Sequence, residues 1–206
     1  ERESAADERN RTEYAGESAR NASYVRDEGL TEVAPAPGSP SDYAYKVVTE
    51  YHVPIHIISE EDMKRLGIEG GFARDGEVYL SDGLPEQYKE ALPKHELIHV
   101  MAEVEFQPYL EFNRKIVNQL VPGSALKQLL LDVMSHKGYG GYLGDLSLEQ
   151  QAAVFDEFNA MVYGSYLAYG EAFRDSYGKA FKNFDRYIGE LSDLLEQFKE
   201  RDRPGD

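Results

Sequence analysis

His95 and His99 stand four residues apart with Glu96 between them, and both imidazoles can serve one metal ion only if the backbone there is α-helical. In a helix the side chains at i and i+4 lie one above the other, while Glu96 points about 100° away around the axis. The pattern therefore asks for a helix with one face open to an ion and a second element that carries a third ligand to it. No other stretch constrains the remaining architecture as strongly.

Length and charge narrow the classes. The 206 residues suffice for one domain with a sizeable core plus an appendage. A net charge of −16 and a pI near 4.7 leave no basic patch for phosphate, so nucleic acid is not expected as a partner. No run approaches the roughly 18 apolar residues of a membrane span, and the N-terminus lacks the charged-then-apolar pattern of a signal peptide. The chain starts at Glu1 rather than Met, which suggests a fragment or a processed protein and leaves compartment open. Nothing in the sequence fixes an oligomeric state. With no cysteine, any metal must be held by His, Asp or Glu.

Residues 1–42 are rich in Glu, Arg, Ala and Ser, contain no Lys, and end in Ala-Pro-Ala-Pro-Gly-Ser-Pro. They read as an acidic polar tail or linker, with residues 43–206 as the folded domain. Val53, Ile55 and Ile57 alternate as in a strand, and Pro54 assigns it to a sheet edge or a bulge. Ser59-Glu60-Glu61-Asp62 is a capping signal for a short helix stopped by the glycines from Gly67 to Gly71. Asp75-Gly76 predicts a hairpin that pairs Phe72 and Ala73 with Val78, Tyr79 and Leu80. The rest reads as helical: about Pro93 to Glu105, a segment between Pro108 and Pro122, one capped by Ser124, a long one from Leu148 to about Tyr169 behind a Ser147-to-Gln150 capping box, and two amphipathic stretches up to about Lys199. The predicted class is α+β, a small antiparallel sheet with a hairpin edge strand packed on a mainly helical domain.

A third ligand must come from another helix. Ala102 and Glu105 stand where an extended motif would place Gly and a third His. The downstream candidates are Asp132, His136, Asp145, Glu149, Asp156 and Glu157. Glu157 is the best placed, because Ala153, Ala160 and Gly164 at i−4, i+3 and i+7 form a stripe of small residues that lets two helices approach closely. A carboxylate amid Val154, Phe155, Phe158, Met161 and Val162 is costly unless paired or bound to metal. The plainer alternative is a rim residue in an ion pair.

In His95-Glu96-Leu97-Ile98-His99 and Asp156-Glu157-Phe158-Asn159-Ala160 the chain resembles the zincin metallopeptidases, and within them the gluzincin group that joins HExxH to a downstream helical glutamate. The layout from about Tyr45 to Tyr169 also looks like the compact peptidase-like domains of phage and other mobile-element polyproteins. The His99-to-Glu157 spacing exceeds that of thermolysin-like enzymes and no Glu-x-x-x-Asp follows, so the resemblance is to the group rather than to thermolysin.

The resemblance implies Zn²⁺ held by His95, His99 and Glu157, with Glu96 as general base in the hydrolysis of a peptide or protein substrate. Zincins add a donor for the developing oxyanion, and His136, Tyr139 and Tyr142 in or near a glycine-rich loop are candidates, against the simpler reading of that loop as a connection. Asp156 can orient a histidine from behind or face solvent. His52 and His56 share a strand face that can line a cleft, and Asp132 and His136 are also four apart, although a His at a helix C-terminus needs no metal to explain it. A catalytically silent zincin-like domain, kept for binding or assembly within a larger polypeptide, is the competing expectation. An ordinary amphipathic helix without metal is the third.

Overall fold

The computed structural model describes residues 19–116, 125–177 and 183–202. Residues 19–27 form a first helix, α1. Helix α2, Pro40–Glu50, starts where the Ser39 side chain accepts a hydrogen bond from the Asp42 amide and Pro40 fills the first turn. Strand β1, Ile55–Ile58, leads to α3, Glu60–Arg65, whose N-cap is Ser59 as the capping signal predicts. Strands β2, Gly71–Arg74, and β3, Glu77–Ser81, make the expected hairpin. Its turn residues Asp75 and Gly76 have φ of 48° and 75°, the double positive φ of a type I′ turn. The Gly76 amide donates to Glu103 Oε2 at 2.5 Å, which pins the turn to the motif helix.

The sheet is mixed rather than antiparallel. Its order is β1-β3-β2, with β1 parallel to β3 (Ile55 opposite Val78) and β2 antiparallel to β3 (Phe72 opposite Tyr79). The chain leaves β1 through α3 and returns as the hairpin, so β3 is inserted beside β1 in the same direction. Alternation along 53–58 reports which side chains face inward and is silent on strand direction. β3 is buried along its whole length, and β1 lies at an edge, where Pro54 costs no ladder bond.

The tail reading of residues 1–42 differs from the structure over residues 19–42. Asn21 is fully buried, its Nδ2 donating to Glu77 Oε2 at 2.5 Å and to the Arg74 carbonyl at 3.1 Å. Glu32 bridges Ile58, and Leu30 joins a cluster with Ile58, Met63 and Tyr79 on one face of the sheet. Pro, Ala and Ser composition hid a strap whose few apolar residues fit that face. The boundary at 42 falls inside α2.

The other sheet face meets the helices. Helix α4, Ala91–Glu103, buries Leu97, Ile98, Val100 and Met101 against Ile57, Val78 and Leu80. Behind it lie α5, Gln107–Ile116, α6, Ala125–His136, and α7, Leu148–Tyr169, the last opened by the predicted Ser147–Gln150 capping box. Helices α8, Glu171–Tyr177, and α9, Phe184–Lys199, complete the layer, with Tyr187, Leu191, Leu195 and Phe198 in the core. The Ser124 cap falls outside the described residues. Among those described, no helix is long and apolar enough to cross a membrane.

Candidate metal centre

Helices α4 and α7 pack directly on one another, and glycine sets their approach. A Cβ on Gly164 would sit 3.4 Å from His95 Nδ1, 3.5 Å from His95 Cβ and 3.6 Å from the Ala91 carbonyl oxygen. The predicted small-residue stripe thus meets the motif helix. His95 and His99 lie on the α4 face turned to α7, their ring centroids 5.0 Å apart.

Glu157 reaches both. Its Oε1 is 3.9 Å from His95 Nε2 and its Oε2 is 3.1 Å from His99 Nε2. The three groups each offer a ligand atom within 4.8 Å of the others. A tetrahedral ion with bonds of about 2.0–2.1 Å requires ligand atoms about 3.3 Å apart, so the set fits an ion with small side-chain adjustment. It also matches the donor chemistry of a cysteine-free site, two imidazoles and one carboxylate. Glu157 is 31% exposed, which leaves its far side open to a further ligand.

Asp156, the neighbour of Glu157, turns inward. Its Oδ2 lies 2.6 Å from His99 Nδ1, and its Oδ1 accepts a hydrogen bond from the Tyr109 hydroxyl at 2.8 Å. Behind them Asn159, fully buried, donates to Tyr109 Oη at 3.2 Å and to Asn113 Oδ1 at 2.6 Å and accepts from the Tyr187 hydroxyl at 2.8 Å. Sequence reasoning missed Tyr109, Asn113, Asn159 and Tyr187. The one available signal was an amide at 159 on a helix face otherwise made of Phe155, Phe158 and Val162.

Glu96 is 4% exposed, and among the described residues its carboxylate has no hydrogen bond or ion pair. Burial pushes its pKa up to about 7, with the negative charges of Glu157, Glu103 and Asp156 adding to the rise and His99 opposing it. Burial, reinforced by the His99 charge, lowers His95 to about 4. His99 feels the same desolvation, yet hydrogen bonds to Asp156 and Glu157 hold it well above the usual imidazole range. The hydrogen bond from His99 brings Glu157 down to about 2. A buried carboxylate and three coupled donors converging at one place are the pattern of a functional site.

A pocket of about 220 Å³ opens between α4 and α7 beside His95, lined by Ala91, Leu92, Met161, Gly164 and Ala168. At its rim the Tyr88 and Tyr169 hydroxyls are 2.6 Å apart.

The remaining candidates make no recorded contact with the triad among the described residues. His136 is exposed at the end of α6, Tyr139 packs half-buried against the main core, and Tyr142 is 80% exposed. Among the described residues no hydrogen bond or ion pair joins any of them to His95, His99 or Glu157, although the charge of the adjacent Lys137 acts on Glu157. Asp132 accepts from Gln128 and, among the described residues, pairs with no histidine. His52 is exposed beyond α2, and His56 stacks on Tyr79 at 4.6 Å on the sheet face away from α4, so the two do not line a common cleft. Compared with known proteins, the chain matches no family model, no curated protein and no solved structure.

Proposed function

We propose that this chain is a zinc metallopeptidase of the HExxH type, acting on a peptide or protein substrate. The observation that carries the reading is the convergence of His95, His99 and Glu157 within 4.8 Å, beside a buried Glu96 that makes no hydrogen bond or ion pair among the described residues. A general base must keep a lone pair for the proton it takes, and no described residue donates a hydrogen bond to Glu96.

In this reading His95, His99 and Glu157 hold Zn²⁺, which when bound lowers the pKa of a water toward neutrality and polarises a scissile carbonyl. Glu96 takes the proton of the attacking water and gives it to the leaving amine. Asp156 holds the His99 ring from behind, and the apolar groove beside His95 offers room for a substrate side chain.

The test joins metal analysis to one substitution. Purified protein should hold one equivalent of zinc and cleave an unstructured protein such as denatured casein, and Glu96→Gln should keep the zinc and lose at least about a hundredfold in rate. Zinc well below one equivalent rejects the metal site. Stoichiometric zinc without cleavage in the unaltered chain favours the silent binding domain instead.

A further inference from the structure

We infer that Tyr109 is a positioning residue of the metal centre, the middle of a directional hydrogen-bond relay that runs from α9 through α7 and α5 to the rear nitrogen of His99. The inference rests on the metal-site reading and adds to it two helices that carry none of the proposed ligands.

The direction follows from counting donors. Asn159 spends its two N–H groups on Tyr109 Oη (3.2 Å) and Asn113 Oδ1 (2.6 Å), and its carbonyl oxygen accepts from the Tyr187 hydroxyl (2.8 Å). Asp156 anchors the direction, because its carboxylate can only accept the Tyr109 proton and so requires the end of the Asn159 amide that faces Tyr109 to be the nitrogen. Tyr109 Oη therefore accepts from Asn159, and its single proton goes to Asp156 Oδ1 at 2.8 Å. Asp156 Oδ2 is left facing His99 Nδ1 at 2.6 Å, and an ionised carboxylate can only accept, so Nδ1 must carry hydrogen. Without an ion Nε2 also carries hydrogen and donates to Glu157 at 3.1 Å; in the neutral ring that a metal would bind, Nδ1 keeps its hydrogen and the lone pair is at Nε2. Each bond in the relay specifies the polarity of the next.

The placement also accounts for burial that the core does not need. Tyr109 and Tyr187 are both fully buried, and Asn159 and Asn113 are buried beside them, a costly group of polar atoms unless satisfied as a set. An apolar contact between α5, α7 and α9 would hold the helices together without it. What an apolar contact cannot do is aim Asp156.

The experiment uses the full chain and Zn²⁺, with affinity read by competition against a chromophoric chelator. Tyr109→Phe keeps the ring and removes the proton that reaches Asp156 Oδ1, and its Zn²⁺ affinity should fall about 10- to 100-fold. Unchanged affinity in a folded Tyr109→Phe, with the unaltered chain binding normally, overturns the relay and leaves the metal site standing. Failure of the unaltered chain to bind zinc overturns both. A second measurement needs no variant: in the zinc-loaded unaltered chain, ¹⁵N NMR should show His99 protonated at Nδ1 and metal-bound at Nε2. The opposite assignment overturns the relay even if Tyr109→Phe fails to fold.

Discussion

Gly164 decides how near the two ligand-bearing helices can lie, and its contacts separate two effects of substitution. A single methyl would sit 3.4–3.6 Å from His95 and the Ala91 carbonyl, which is ordinary contact, while alanine in a helix interior gains up to about 1 kcal/mol over glycine. Propensity therefore wins for alanine. Gly164→Ala should raise stability by about 0.5–1 kcal/mol with metal affinity nearly unchanged, as thermal unfolding and chelator competition will read. Gly164→Leu pushes atoms into the His95 ring and should weaken metal binding at least about tenfold. The legibility of the site divides along the same line. His95, His99 and Glu157 were readable because i, i+4 and a small-residue stripe are local regularities, whereas Tyr109 and Tyr187 reach Asp156 and Asn159 from other helices and leave no periodic trace.

At the scale of elements, the strap over the sheet is tied through one histidine. His56 Nε2 lies 2.9 Å from Glu77 Oε1, its Nδ1 contacts Glu32 of the strap, and Glu77 in turn holds Asn21 of α1. Burial alone would lower the His56 pKa, but the hydrogen bonds to Glu77 and Glu32 and their charges raise it above the usual 6.5. A folded value above the unfolded one means the tie is at full strength below about pH 6.5 and is lost as pH rises through the raised value. Urea unfolding at pH 6 and pH 9 should show this loss in the unaltered chain, and His56→Gln should flatten the difference between the two pH values. Elements were most legible where a side chain ends them: Ser59, Ser147 and Asp75-Gly76 each stand where capping or turn chemistry puts them. Strand direction and the packing of residues 19–42 depend on partners distant in sequence, which local patterning does not encode.

For the molecule as a whole, charge sets the response to salt. A net charge of −16 on 206 residues places the folded state under self-repulsion that mobile ions screen within about 10 Å at 0.1 M. Raising sodium chloride from about 0.02 to 0.3 M should raise the melting temperature, and a fall would show that local ion pairs such as Arg174 with Asp185 outweigh the global field. The α+β class was legible in the switch from alternating to helical patterning near Leu84. Its layering, with the sheet held between a strap and a helical block, was not.

Arg201 donates one hydrogen bond to the Tyr51 carbonyl at 2.8 Å and another to the Phe198 carbonyl at 2.7 Å, so the end of α9 closes on the end of α2, 150 positions earlier in the chain. Synthesis gives that contact a timetable. A nascent chain that has released β1, the hairpin and α4 still lacks Tyr187, Leu195, Phe198 and Arg201, and the side of the core they fill stays open to water until residue 201 has emerged from the ribosome. Protease sensitivity of stalled chains should therefore drop in one late step rather than element by element.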